Sequence, residues 1–201
     1  MSSLIDQAFQ NAKNENRPAL LTYTVAGDNT KKKSLEILKS ISKYADICEL
    51  GFPHNTPIAD GGQIQTSAYR AIKNGIKIND VFSIAKDFKK VKKNKPIILM
   101  GYYNMIFQYN ENKFLEKCKK SKVDGLIVVD LPFPENKVFA SKCKKTEPIP
   151  IAALSIKTNS LGGFTPPIFF NSLWTLDAAS APYTEEFVSC IFIALSLSKG
   201  E

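Results

Sequence analysis

Apolar residues over the first 155 positions fall into two kinds of segment that alternate. One kind is short and continuous: Ala19–Val25, Ala45–Cys48 leading into Glu49, Ile97–Met100, Gly125–Val129 and Ile149–Leu154. Runs of that length, bounded by Gly, Pro or Asp, predict strands. The other kind spaces its apolar residues at helical intervals, as in Leu4, Ile5, Ala8, Phe9 and Ala12. Leu35, Leu38 and Ile41 make a second such stripe, and Ile64, Ala68, Ala71 and Ile72 a third, stopped by Gly75. Ile78, Val81, Phe82, Ala85 and Phe88 follow, then Phe114, Leu115 and Cys118, then Val138, Phe139 and Cys143. These predict amphipathic helices.

Strands alternating with helices predict βα units and a parallel sheet. Continuously apolar strands fit, because a parallel strand is buried on both faces. Periodicity alone leaves a barrel and an open doubly wound sheet in competition. No Gly-x-Gly-x-x-Gly follows the first strand, which weakens a dinucleotide fold. About five βα units are recognisable. The chain has 201 residues, short for an eight-fold α/β barrel of about 250.

Composition changes near residue 160. Positions 1–160 hold 26 of the 27 basic and 15 of the 19 acidic residues, a balance of +11. Positions 161–201 hold one basic and four acidic residues, a balance of −3, and seven aromatics including Trp174. This second stretch is expected to lack helix or strand periodicity and to be aberrant or poorly ordered. It reads as foreign sequence, such as a frameshift would leave, with a divergent C-terminal half as the rival reading. Domain boundaries are therefore set at 1–160 and 161–201.

The formal charge of +8 raises nucleic acid as a partner, and residue type argues against it. Only Arg17 and Arg70 are arginines, whereas phosphate and base recognition favours the planar guanidinium fork. Lysines cluster where helices end, at 31–33, 89–95, 117–122 and 142–145, as solvated outer faces would place them. The longest apolar stretch, Phe187–Leu197, has 11 residues, too few to span a bilayer of about 30 Å. The N-terminus carries no secretory pattern. Cys48, Cys118, Cys143 and Cys190 are widely spaced, with one histidine, His54. That predicts reduced thiols, a cytoplasmic location and no metal site.

The most informative stretch is Glu-Leu-Gly-Phe-Pro-His-Asn-Thr-Pro-Ile-Ala-Asp-Gly-Gly-Gln-Ile-Gln, residues 49–65. It sets Glu49 at the carboxyl end of a strand and Asp60 on the loop beyond. Two carboxylates held by rigid elements suit acid/base work. The alternative is that Asp60 caps the next helix and Glu49 is a partly exposed strand end. With Leu-Met-Gly-Tyr-Tyr-Asn at 99–104 and Val-Asp-Gly-Leu-Ile-Val-Val-Asp-Leu-Pro at 123–132, the stretch resembles the tryptophan synthase alpha chain family. The likeness runs to about Ser155.

The resemblance implies a TIM (β/α)8-barrel type fold, here incomplete. It also implies a lyase reaction: retro-aldol cleavage of indole-3-glycerol phosphate to indole and glyceraldehyde 3-phosphate in tryptophan biosynthesis. Glu49 matches the family's general acid/base, and Asp60 the carboxylate that bonds the indole N–H. Tyr23, Met100, Tyr102 and Ile127, near strand ends, are candidates for the apolar walls, with barrel core as the competing role for Met100 and Ile127. Asp130 resembles a residue near the site's mouth or caps a strand end. No cofactor is expected on this chain, since pyridoxal phosphate belongs to the partner beta chain of an α2β2 heterotetramer.

Departures from the family are specific. Asn55-Thr56 stands where Ser-Asp is common, which bears on coupling to the beta chain. Gly62 replaces a common proline, and His54 sits at a variable position. Nothing after Ser155 matches the glycine-rich phosphate loops, Gly162-Gly163 being a lone pair. The chain as written is thus expected to fold poorly and to be a poor enzyme. The rival readings are a non-catalytic fragment that at most docks on the beta chain, and another phosphosugar TIM barrel. The second would rely on metal-binding histidines or strand-end lysines, which this chain lacks.

Overall fold

A computed structural model of the chain describes residues 3–132, 134–146, 151–153 and 190–195. Helix α1 (Leu4–Asn14) starts at a capping box, in which the Ser3 hydroxyl accepts from Asp6 N–H and the Asp6 carboxylate accepts from Ser3 N–H. The two donors would otherwise lack intrahelical partners. Strand β1 (Ala19–Val25) follows, then α2 (Lys31–Ile41) and β2 (Ile47–Gly51). Two helices, α3 (Gly62–Lys73) and α4 (Ile78–Val91), lead to β3 (Ile97–Gly101). Gly75 between them has φ +78°, a conformation that favours glycine.

After β3 come α5 (Tyr103–Tyr109), α6 (Glu111–Lys120), β4 (Gly125–Val128), α7 (Lys137–Thr146), β5 (Ile151–Ala153) and β6 (Cys190–Leu195). The sheet order is β5-β4-β3-β2-β1-β6. Strands β1 to β5 pair in chain order and in parallel, as the βα pattern predicts. Among the described residues the sheet is open. It is the incomplete barrel type expected from the sequence.

Two elements depart from the sequence reading. Residues 103–109, where the hydrophobic pattern predicts no helix, form α5. Seven residues are too few for periodicity to register, and the helix start is held instead by Asp130 Oδ1, which accepts from Tyr103 N–H at 2.6 Å. The second is β6, in the stretch expected to lack strand character. It pairs antiparallel with β1, from Ala19 opposite Leu195 to Thr24 opposite Cys190. A short apolar run cannot be assigned by its own pattern; the free backbone groups along the β1 edge give it a partner. A parallel barrel would place a parallel strand there.

Side chains alternate across each strand. Cys48, Leu50, Ile97, Leu99, Leu126 and Val128 pack outward against helix residues such as Leu38, Phe88 and Phe114. On the other face Leu21, Ile47 and Ile98 meet Ala8 and Ala12 of α1, which covers the amino-terminal end of the sheet.

Ion pairs brace that same end. Arg17 grips both carboxylate oxygens of Asp46, at 2.6 and 2.8 Å, and Asp46 also accepts from Leu20 N–H. Lys89, expected on a solvated face, is instead buried at 4 % exposure. Its Nζ donates to Asp124 Oδ2 at 2.8 Å and to the Lys95 carbonyl at 3.2 Å. A lysine is buried only when paired, and the start of β4 supplies the carboxylate.

Candidate active site

The carboxyl ends of β1, β2 and β3 and the loop 52–61 converge on one cleft. Its lining includes Tyr23, Phe52, Asp60, Ile64, Met100 and Tyr102. In the sheet register Tyr23 stands opposite Glu49, and Glu49 opposite Ile98. Met100 stands one row nearer the carboxyl ends, opposite Gly51 and Ile127. Tyr23, Glu49, Met100 and Ile127 therefore share one face of the sheet. Gly51 makes room for this arrangement: a Cβ there would meet the Tyr23 hydroxyl at 2.0 Å.

Glu49 is 2 % exposed, and its Oε2 has no hydrogen-bond partner among the described residues. Burial disfavours the charged carboxylate and pushes its pKa up to about 7. This is not the partly exposed strand end that the sequence left open. Near neutral pH such a group can both give and take a proton.

Asp60 is half-buried. Its carboxyl pKa is raised by burial, against a hydrogen bond from Tyr102 and the charge of His54, which lower it. It does not cap α3, whose N-cap is Gly61 without a side-chain cap bond. Tyr23 is deeply buried and its hydroxyl pKa is raised, first by burial and then by the charges of Asp60, Glu49 and Tyr102. One phenol thus lies within the fields of both carboxylates.

Met100 is half-buried and packs with Tyr23 and Ile64. Ile127 packs elsewhere, against the cluster of Ala8, Ala12, Leu21, Ile47 and Ile98. His54 braces its loop: Nδ1 accepts from Thr56 N–H at 2.9 Å, and the ring lies 5.0 Å from that of Tyr102. Among the described residues no group of three or more His, Cys, Asp or Glu is placed to hold a metal ion, and no helix is long and apolar enough to cross a membrane. Gly162-Gly163 lies outside the described residues.

Some cleft residues were missed in the sequence. Phe52 was read as part of the loop, yet its ring fills the space above Gly101, where a Cβ would meet it at 2.1 Å. The glycine ending an apolar run was the available signal. Ile64 and Ala68, read only as helix core, also line the cleft. Asp28, after β1, is 1 % exposed and takes a two-pronged bond from Arg70 of α3 at 2.8 Å each. This pair ties α3 to the loop that follows β1.

The family profile described as "Tryptophan synthase alpha chain" matches residues 9–164, so the likeness extends past Ser155 and β6 lies outside it. The chain is 77 % identical over 145 residues to the tryptophan synthase alpha chain of Pelagibacter ubique, covering 72 % of this chain and 55 % of that protein. Identity to the Methanococcus vannielii alpha chain is 40 % over 132 residues, covering 66 % of this chain and 51 % of the relative. The chain spans about half the length of the curated relatives it matches.

Among solved structures, tryptophan synthase subunit alpha from Legionella pneumophila superposes with a TM-score of 0.69 at 31 % identity, over 73 % of this chain and 56 % of that one. A mutant tryptophan synthase alpha-subunit from Pyrococcus furiosus gives 0.64 at 40 % identity, over 68 % and 56 %. A profile match over most of the chain, with a parallel sheet that superposes on these subunits, leads to one conclusion: the chain belongs to the tryptophan synthase alpha chain family.

Proposed function

We propose that this cleft is the acid/base part of a site that cleaves indole-3-glycerol phosphate to indole and glyceraldehyde 3-phosphate, a step of tryptophan biosynthesis in the cytoplasm. The observation that carries the reading is the buried Glu49 carboxyl, raised to about 7, beside a cleft that Asp60 enters from the loop. Indole leaves as a carbon leaving group only after its C3 takes a proton. Glu49 supplies that proton, and Asp60 accepts the indole N–H bond and balances the positive charge that develops on the ring. The bond from C3 to the side chain then breaks, its electrons returning to the ring, while the adjacent hydroxyl loses its proton and becomes the aldehyde. The hydroxyl proton passes to Glu49 and restores its acid form, while Asp60 exchanges no proton, so the step needs no cofactor. Tyr23, Met100 and Tyr102 wall the flat ring.

The test is indole release from indole-3-glycerol phosphate, followed by absorbance. Asp60→Asn should cut kcat by about 10²-fold. A wild-type chain that releases no indole above the uncatalysed rate would remove the assignment.

The partner in this reading is a beta chain carrying pyridoxal phosphate, in an α2β2 assembly. The surface from Pro53 to Pro57 and from Tyr102 to Phe107 is its docking face. Phe107 is 66 % exposed there, beside a groove lined by Pro53, Asn55 and Met105. A related structure is the tryptophan synthase complex from Pyrococcus furiosus. The expected result is co-purification with a beta chain, lost in Phe107→Glu. Co-purification unaffected by that change would move the docking face elsewhere.

A further inference from the structure

An apolar wall needs only a ring, and Tyr102 offers more. Its hydroxyl accepts from Ala59 N–H at 3.0 Å and donates to Asp60 Oδ2 at 3.3 Å. Two consecutive residues of the loop 52–61 thus meet one phenol, 6 % exposed, at the junction of β3 and α5. The Asp60 backbone is held separately: its N–H donates to the Pro57 carbonyl at 3.0 Å, and its carbonyl accepts from Gln65 Nε2 at 2.8 Å. Those bonds fix where the residue sits and leave the direction of its carboxylate to the Tyr102 bond. On its other side the phenol carries the His54 ring, 5.0 Å between centroids and tilted by 30°.

We infer that Tyr102 is a positioning residue: its hydroxyl aims the Asp60 carboxylate into the cleft in its ionised form and clamps the Ala59–Asp60 segment to the end of β3. For the indole N–H as the group that carboxylate meets, the inference rests on the proposed reaction. A phenol donating to a carboxylate favours the charged form, which is the form that can accept from an N–H. The 3.3 Å separation is long for such a bond, as catalytic hydrogen bonds often are before substrate binds.

Tyr102→Phe separates a positioning role from a wall, because it keeps the ring and removes one oxygen. In the full chain labelled with 13C at aspartate carboxyls, and with Asp60→Asn to assign the signal, Asp60 should titrate at higher pH in the variant. The other groups acting on this cluster, His54, Tyr23, Glu49 and Asp130, are unchanged by the substitution. Exchange of the Ala59 amide should become about tenfold faster, and kcat for indole release should fall about tenfold with KM nearly unchanged. An Asp60 titration and an Ala59 exchange rate equal to wild type would overturn the inference and leave Tyr102 a wall. If both shift while the wild-type chain releases no indole, the positioning role stands and the reaction assignment falls.

Discussion

Glu49→Gln will reduce indole release by about 10²–10⁴-fold, the usual cost of losing an acid/base group, without unfolding the chain. Glutamine matches the shape of glutamate and cannot exchange a proton. The wild-type rate should bend near pH 7, where the buried carboxyl titrates, and that inflection should vanish in the variant. Stability carries a second signature. The folded-state pKa lies above the ordinary value of 4.5, so between pH 4.5 and 7 the folded chain holds a proton that the unfolded chain has released. Wild-type stability therefore falls as pH rises through this window, by about 3 kcal/mol in all. The variant lacks this loss, so its stability relative to wild type should grow by about 3 kcal/mol from pH 4.5 to pH 8, whatever the fixed cost of burying the amide. Urea denaturation at the two pH values measures it. A variant with most of its activity would remove Glu49 from the chemistry, and a difference that stays constant with pH would mean the carboxyl is not buried as described.

Lys89→Met should cost about 3 kcal/mol of unfolding free energy, the lower end for breaking a buried charge pair. The aliphatic stem is replaced, while Asp124 keeps, among the described residues, only its bond from Ile97 N–H, at 2.9 Å. The pair joins the end of α4 to the start of β4, opposite the cleft, so stability should change and KM should not. In Lys89→Met/Asp124→Asn the orphaned charge is gone, and part of the loss should return. If the double variant is as unstable as the single one, packing rather than charge accounts for the cost.

How far the chain could be read in one dimension depended on whether each feature left a local trace. The span of β1 was legible to the residue, because Ala19–Val25 is a continuous apolar and β-branched run closed by Gly27-Asp28. Helices α1, α2, α3, α4, α6 and α7 were legible because a face buried on a sheet must repeat at 3.6 residues. Glu49 and Asp60 could be singled out because a strand end and a loop rich in Gly and Pro bracket them, and three motifs in order carried the family resemblance.

What tertiary structure decided has no such trace, since it comes from groups distant in the chain. Helix α5 depends on the carboxylate of Asp130, β6 on the free edge of β1, and the burial of Lys89 on Asp124, 35 residues away. Tyr102 was legible as an aromatic near a strand end; that its hydroxyl meets Ala59 and Asp60 follows only when the loop 52–61 folds back over β3. Hydrophobic periodicity reports which face of an element is buried. The direction of a hydrogen bond is set by two backbones at once, and becomes defined only when the sheet brings them together.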